Sequence, residues 1–140
     1  KAPKSAPQAS LVATADADAT TYRSTTLTNV SDLVIITHQG GENIPWADIK
    51  VIVEATDVNS VSNDNALTYP DPDSDDNTNG YGWYKDEIGT SNEFWEPGEK
   101  LVVGFNNTAN DEFDSGETVT IKVLHTPSNQ MILSTQVPAQ

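Results

Sequence analysis

The residues best suited to chemistry in this 140-residue chain lie in the run DPDSDDNTNGYGWYKDE, residues 71–87. Counted from Asp75, side-chain oxygens fall on alternate positions at Asp75, Asn77 and Asn79, followed by Gly80 and, at the twelfth position, Asp86. That spacing follows a calcium loop, in which alternate oxygen ligands converge on a hard cation and a glycine permits the sharp turn. Asp71 and Asp73 offer a second, staggered set of oxygens. The run departs from the motif in placing Asp where a bidentate Glu is usual, and in having no flanking helices. Asn and Asp also favour turns for local reasons, so a solvated Asx-rich turn is the competing reading. Ca²⁺ is the one cofactor the sequence offers.

The two histidines come next. His38 follows LVIIT and His125 follows VTIKVL, each just before a turn signal, QGGEN and TPSN. With no cysteine in the chain, a catalytic zinc site would need both imidazoles and a carboxylate at one end of the molecule. No G-x-S-x-G elbow, H-E-x-x-H helix or phosphate-cradling glycine loop occurs. The expectation is therefore that each imidazole hydrogen-bonds the backbone of a turn. No catalytic residue is assigned, and the chain is read as non-enzymatic.

Tyr81, Trp83 and Tyr84, set in a polar segment, are the one aromatic cluster that suggests a sugar-stacking platform, although packing is the commoner fate of a single aromatic. Two glycosylation sequons, at Asn29 and Asn106, lie beside strand ends.

Acidic residues outnumber basic ones by 21 to 7, a formal charge of −14. Such a field repels nucleic acid and anionic lipid, and favours solubility and cation binding. Disorder fits poorly, because the apolar residues are gathered into short β-rich runs. The length suits one domain, able to bury roughly 70% of its unfolded surface. No membrane span or signal sequence is visible, and the chain starts at Lys1 without a methionine, as a processed or trimmed terminus would.

The elements that must position these residues have a period of two. ADIKVIVEA puts Ile49, Val51 and Val53 on one face, ETVTIKVLH does so with Val119, Ile121 and Val123, and KLVVGF with Leu101, Val103 and Phe105. LVIIT is apolar at four successive positions, which predicts a central strand covered on both faces. ASLVATA, YRSTTL and MILSTQV bring the set to about seven strands. The expected fold is all-β, an immunoglobulin-like antiparallel sandwich over residues 10–140. Residues 1–9, spaced by proline, read as a linker, and residues 59–92 as one long loop insertion. WEPGEKL and FDSGETV share the order aromatic, acid, x, Gly, Glu, x, aliphatic. Each predicts a tight turn that launches a strand, with glycine at positive φ and the aromatic closing one end of the sandwich.

ITHQGGENIPWADIKVIVE, the WEPGEKLVV turn and the ending VTIKVLHTPSNQMILSTQV together resemble the extracellular domain of archaeal type IV pilin-like proteins, relatives of the archaellins. KAPKSAPQASL looks like the region just after the hydrophobic N-terminal helix of those pilins. The resemblance covers most of the chain except 59–92. It implies a cell-surface filament subunit, membrane-anchored before assembly, that self-associates through an N-terminal helix this chain lacks and turns its β-domain outward, with adhesion to a surface or glycan ligand as an added role. No catalytic residues carry over. The alternative is a carbohydrate-binding or surface-layer sandwich that uses the aromatics of 59–92.

Overall fold

The alternating runs are strands, and their apolar sets face a shared interior. The computed structural model describes residues 5–26, 31–55, 81–89, 92–105 and 113–140. In chain order the strands are β1 (Ala9–Asp16), β2 (Thr21–Tyr22), β3 (Thr25–Thr26), β4 (Asp32–Gly41), β5 (Ile44–Pro45), β6 (Ile49–Glu54), β7 (Tyr81–Asp86), β8 (Phe94–Trp95), β9 (Lys100–Phe105), β10 (Thr118–His125) and β11 (Gln130–Pro138). One 3-10 turn, Trp46–Asp48, is the sole helical element among the described residues.

Seven of these strands build two antiparallel sheets, β1-β4-β9-β7 and β11-β10-β6. Lettered in sequence order these are A-B-E-D and G-F-C, the constant-type immunoglobulin arrangement. Leu11, Ala13 and Ala15, then Val34 and Ile36, and Leu101, Val103 and Phe105 fill the interior from the first sheet. Ile49, Val51, Val53, Val119, Ile121 and Val123 meet them from the second. One edge is closed by β1 running alongside the C-terminus. Ala15 bridges Ala139 in parallel, the Ala17 N–H donates to the Gln140 carbonyl at 2.9 Å, and the Gln140 N–H to the Ala15 carbonyl at 3.0 Å.

The expectation that β4 is covered on both faces holds. Its outward Leu33 is buried beside Val102, with Ala19, Tyr22 and Ile35 packed over them. The cover is the β2–β3 ribbon, and here the sequence reading differs from the structure. YRSTTL is two dipeptide strands in place of one sandwich strand, because Arg23 and Ser24 take φ of 51° and 66°. Two successive positive φ values make a hairpin turn that reverses the chain at once. The seventh strand comes instead from inside the 59–92 segment. Tyr81–Asp86 pairs with β9 along its whole length, from Tyr81↔Phe105 to Asp86↔Lys100.

The twin turns form as predicted, one at each end of the sandwich. Gly98 and Gly116 have φ of 91° and 93°, and Trp95 and Phe113 are both buried. A further likeness was not anticipated. In each turn the glutamate N–H donates to the carbonyl three residues back, Glu99 to Glu96 and Glu117 to Asp114, both at 3.0 Å. Each glutamate carboxylate in turn accepts that same residue's N–H, from Glu96 at 2.8 Å and from Asp114. The shared glutamate closes the turn from both sides.

Candidate functional site

The sandwich has two unlike poles. At the first, the N-terminal chain enters. Ala9 pairs with Gly41, the Glu42 N–H donates to the Gln8 carbonyl at 2.8 Å, and the Gln8 N–H donates to the Glu42 carboxylate at 2.6 Å. The B–C, D–E and F–G connections crown this entry pole. Trp46 follows the β5–β8 ribbon (Ile44↔Trp95, Pro45↔Phe94) and stacks on Trp95 with centroids 5.1 Å apart. The Trp46 indole N–H donates to Glu87 Oε2 at 3.4 Å, and the Trp95 indole N–H to the Glu99 carbonyl at 2.9 Å. Lys85 Nζ lies 3.6 Å from Glu87 Oε1 and 5.8 Å from the Trp46 ring centroid, a cation over an aromatic face.

Glu99 is buried, yet its carboxylate is fully used. Oε1 accepts the Glu96 N–H at 2.8 Å and Oε2 the Ile88 N–H at 3.0 Å. Its two oxygens hold the D–E loop at two points, Ile88 and Glu96, on one side chain.

His38 is buried at this pole and faces the edge of Trp95. The Glu42 carbonyl, 2.8 Å from Nε2, can only accept, so Nε2 carries the proton. Nδ1 then accepts the Gly40 N–H at 3.2 Å. Both nitrogens are held by turn backbone, as the sequence led us to expect. His125 differs in one respect, because its Nδ1 partner is a side chain, Ser128 Oγ at 2.7 Å. Asp48 Oδ2 lies 3.9 Å from Nε2. A serine, a histidine and an aspartate therefore meet, but the aspartate is beyond hydrogen-bond range and does not orient the ring. The Ser128 hydroxyl also reaches the His125 carbonyl at 3.4 Å, and Thr126 donates its N–H to the Asp48 carbonyl at 2.8 Å. The set ties the F–G turn to the start of β6.

At the far pole, Phe105 is the meeting point. It pairs with Asp32 on one side and Tyr81 on the other, its carbonyl accepts the Ser31 N–H at 2.7 Å, and its ring meets Phe113 edge-on at 5.7 Å. Asp32, also buried, accepts the Asp18 N–H at 2.8 Å and the Phe113 N–H at 3.2 Å. β6 ends on the same side, where Glu54 pairs with Thr120.

The candidate calcium ligands Asp71, Asp73, Asp75, Asn77 and Asn79 lie outside the described residues, as do both sequon asparagines, Asn29 and Asn106. The described residues that flank those segments are Thr26 and Ser31, Ala55 and Tyr81, and Phe105 and Phe113. Asp86 is described, and it sits in strand β7 with its carboxylate engaged. Tyr22 donates to Oδ2 at 2.6 Å and Arg23 to Oδ1 at 2.8 Å. A guanidinium on the same carboxylate competes with any cation, so Asp86 serves first as the anchor of the β2–β3 ribbon. Tyr81, Trp83 and Tyr84 likewise belong to a sheet strand and not to a polar loop. Among the described residues, no three His, Asp or Glu side chains gather as a metal set, and no helix is long and apolar enough to cross a membrane. No model of a known protein family matches the chain, and no curated protein matches it.

Proposed function

We propose that this chain is the extracellular β-domain of an archaeal type IV pilus-like filament subunit, held in the filament by an apolar helix that precedes Lys1. The observation that carries the reading is the polarity of the sandwich. The N-terminal chain enters beside Gly41 and Glu42, while Ser31, Tyr81, Phe105 and Phe113, which border the acidic run 71–80 and both sequon segments in the sequence, gather at the other end. The eight residues of β1 set these poles roughly 25 Å apart, at about 3.3 Å per residue. A subunit anchored by its N-terminus turns the opposite pole to solvent, which is where glycans, a Ca²⁺-bound acidic loop and adhesive contacts belong. The immunoglobulin-like sandwich supplies a rigid spacer between the two. Fold alone does not carry function, so the test concerns the anchor. The coding sequence upstream of Lys1 should read a short basic leader followed by about twenty apolar residues, one bilayer-length helix. A gene without that segment overturns the proposal.

A further inference from the structure

Of the two histidines, only His125 has a ring nitrogen against a side-chain hydroxyl, with Ser128 Oγ 2.7 Å from Nδ1. Its ring is 3% exposed at the end of β10, opposite Ile49 of β6 and Gln130 of β11 in the two ladders. Ser128 is partly exposed, on a turn whose Thr126, Pro127 and Asn129 are exposed. A buried imidazole therefore touches a hydroxyl that reagents in solution can reach. His38 has no such contact, because turn backbone occupies both of its nitrogens.

What the pair can do depends on which ring nitrogen carries the proton. Packing holds the ring, and Asp48 Oδ2 faces Nε2 at 3.9 Å. That is too far for a hydrogen bond, yet Coulomb attraction reaches beyond hydrogen-bond range. A carboxylate there favours an N–H at Nε2 over a lone pair. Nδ1 then presents its lone pair to Ser128, and the hydroxyl donates to it. The other acceptor near that hydroxyl, the His125 carbonyl, is more distant at 3.4 Å. Asp48 keeps its place because its carbonyl accepts both the Thr126 N–H at 2.8 Å and the Thr126 hydroxyl at 3.2 Å.

We propose that Ser128 is a nucleophilic serine that takes an acyl group from an activated ester or thioester. His125 is its general base, and Asp48 is the positioning residue that sets the tautomer. Oγ bonds to the acyl carbon while its proton passes to Nδ1. The bond from that carbon to the leaving oxygen or sulfur then breaks, and the imidazolium returns the proton to the leaving group. The imidazolium formed between these steps lies beside the Asp48 carboxylate, which stabilises it. The product is one O-acyl serine per chain, at the entry pole. The site needs only the F–G turn and the 3-10 turn before β6, so it stands apart from the filament proposal.

The test uses the purified chain and p-nitrophenyl acetate, with acetyl groups located by fragmentation mass spectrometry. Ser128 should be acetylated about a hundredfold faster than any other serine or threonine, the scale of general-base assistance. The advantage should vanish in urea, and in acid, where Nδ1 holds a proton of its own. His125→Gln should remove it. Asp48→Asn should slow the reaction several-fold in a chain that still folds. Long-range ¹H–¹⁵N spectra should show His125 protonated at Nε2 in the wild type, with that preference reduced in Asp48→Asn. Ser128 acetylated no faster than the other hydroxyls overturns the proposal, as does a wild-type His125 protonated at Nδ1. A fast Ser128 unmoved by both substitutions overturns it equally.

Discussion

Trp46 and Trp95 stack within 10° of parallel, one from the B–C connection and one from the D–E turn, and each indole N–H reaches a separate acceptor. The pair closes the entry pole as a single aromatic plug, with His38 against its side. The WEPGE pattern places Trp95 at a turn, and no local pattern brings Trp46 to it. The stack joins two turns that are distant in sequence.

Replacing either tryptophan with alanine should therefore cost about 3–5 kcal/mol, the range for emptying a large aromatic site in a core. Urea denaturation measures the loss. Trp95→Phe should cost less, since it keeps ring area but leaves the Glu99 carbonyl without its indole donor.

Glu99 offers a sharper comparison. Glu99→Ala removes the acceptor of two part-buried backbone N–H groups, those of Ile88 and Glu96, and should cost roughly 2 kcal/mol, at about 1 kcal/mol per hydrogen bond lost. Glu99→Gln keeps one acceptor oxygen and should fall between the two. Equal stability for all three proteins would contradict a structural role for this buried acid.

Gly41 is where the incoming chain crosses β4. A Cβ there would sit 2.4 Å from the Gln8 carbonyl oxygen and 2.8 Å from the Ala9 Cα, at a φ of 107°. Gly41→Ala must displace backbone, and the strained conformation alone costs about 1–3 kcal/mol. The expected outcome is a lower melting temperature, with faster proteolysis confined to the first strand.

Calcium and Asp86 can be separated by one titration. If the Asp75–Asn79 run binds Ca²⁺, the ion should raise the melting temperature. At a hundred times the dissociation constant this amounts to about 2.7 kcal/mol. Asp75→Ala should erase the gain. Asp86→Ala should cost about 1–2 kcal/mol with or without calcium, through the lost Tyr22 and Arg23 bonds. A Ca²⁺ response that vanishes in Asp86→Ala, with unchanged stability in EDTA, would place Asp86 in the ligand set.

The parts legible in sequence are those governed by periodicity and glycine. Ile49, Val51 and Val53 face inward because side chains alternate along a strand, and LVIIT reads as doubly covered because both of its faces are apolar. The WEPGE and DSGE turns carry their glycine openly. β7 was hidden because YGWYKD lacks clean alternation and sits at the end of an Asn- and Asp-rich run. The β2–β3 hairpin was hidden for another reason, since its positive φ falls on Arg23 and Ser24 and not on the Asn-Gly that normally marks such a turn. Spacing alone makes Asp86 a candidate cation ligand, and it does not report the hydrogen bonds from Tyr22 and Arg23 that join its carboxylate to the β2–β3 ribbon. The plug at the entry pole depends on contacts between residues 46, 87, 95 and 99, which no local pattern reports.

The most direct measurement is immunogold electron microscopy of intact cells with antibodies raised against this domain. The proposal predicts gold at regular intervals along thin surface filaments, lost together with the filaments when the gene is deleted. Gold spread evenly over a planar envelope, or filaments unlabelled and unchanged in the deletion strain, would contradict it.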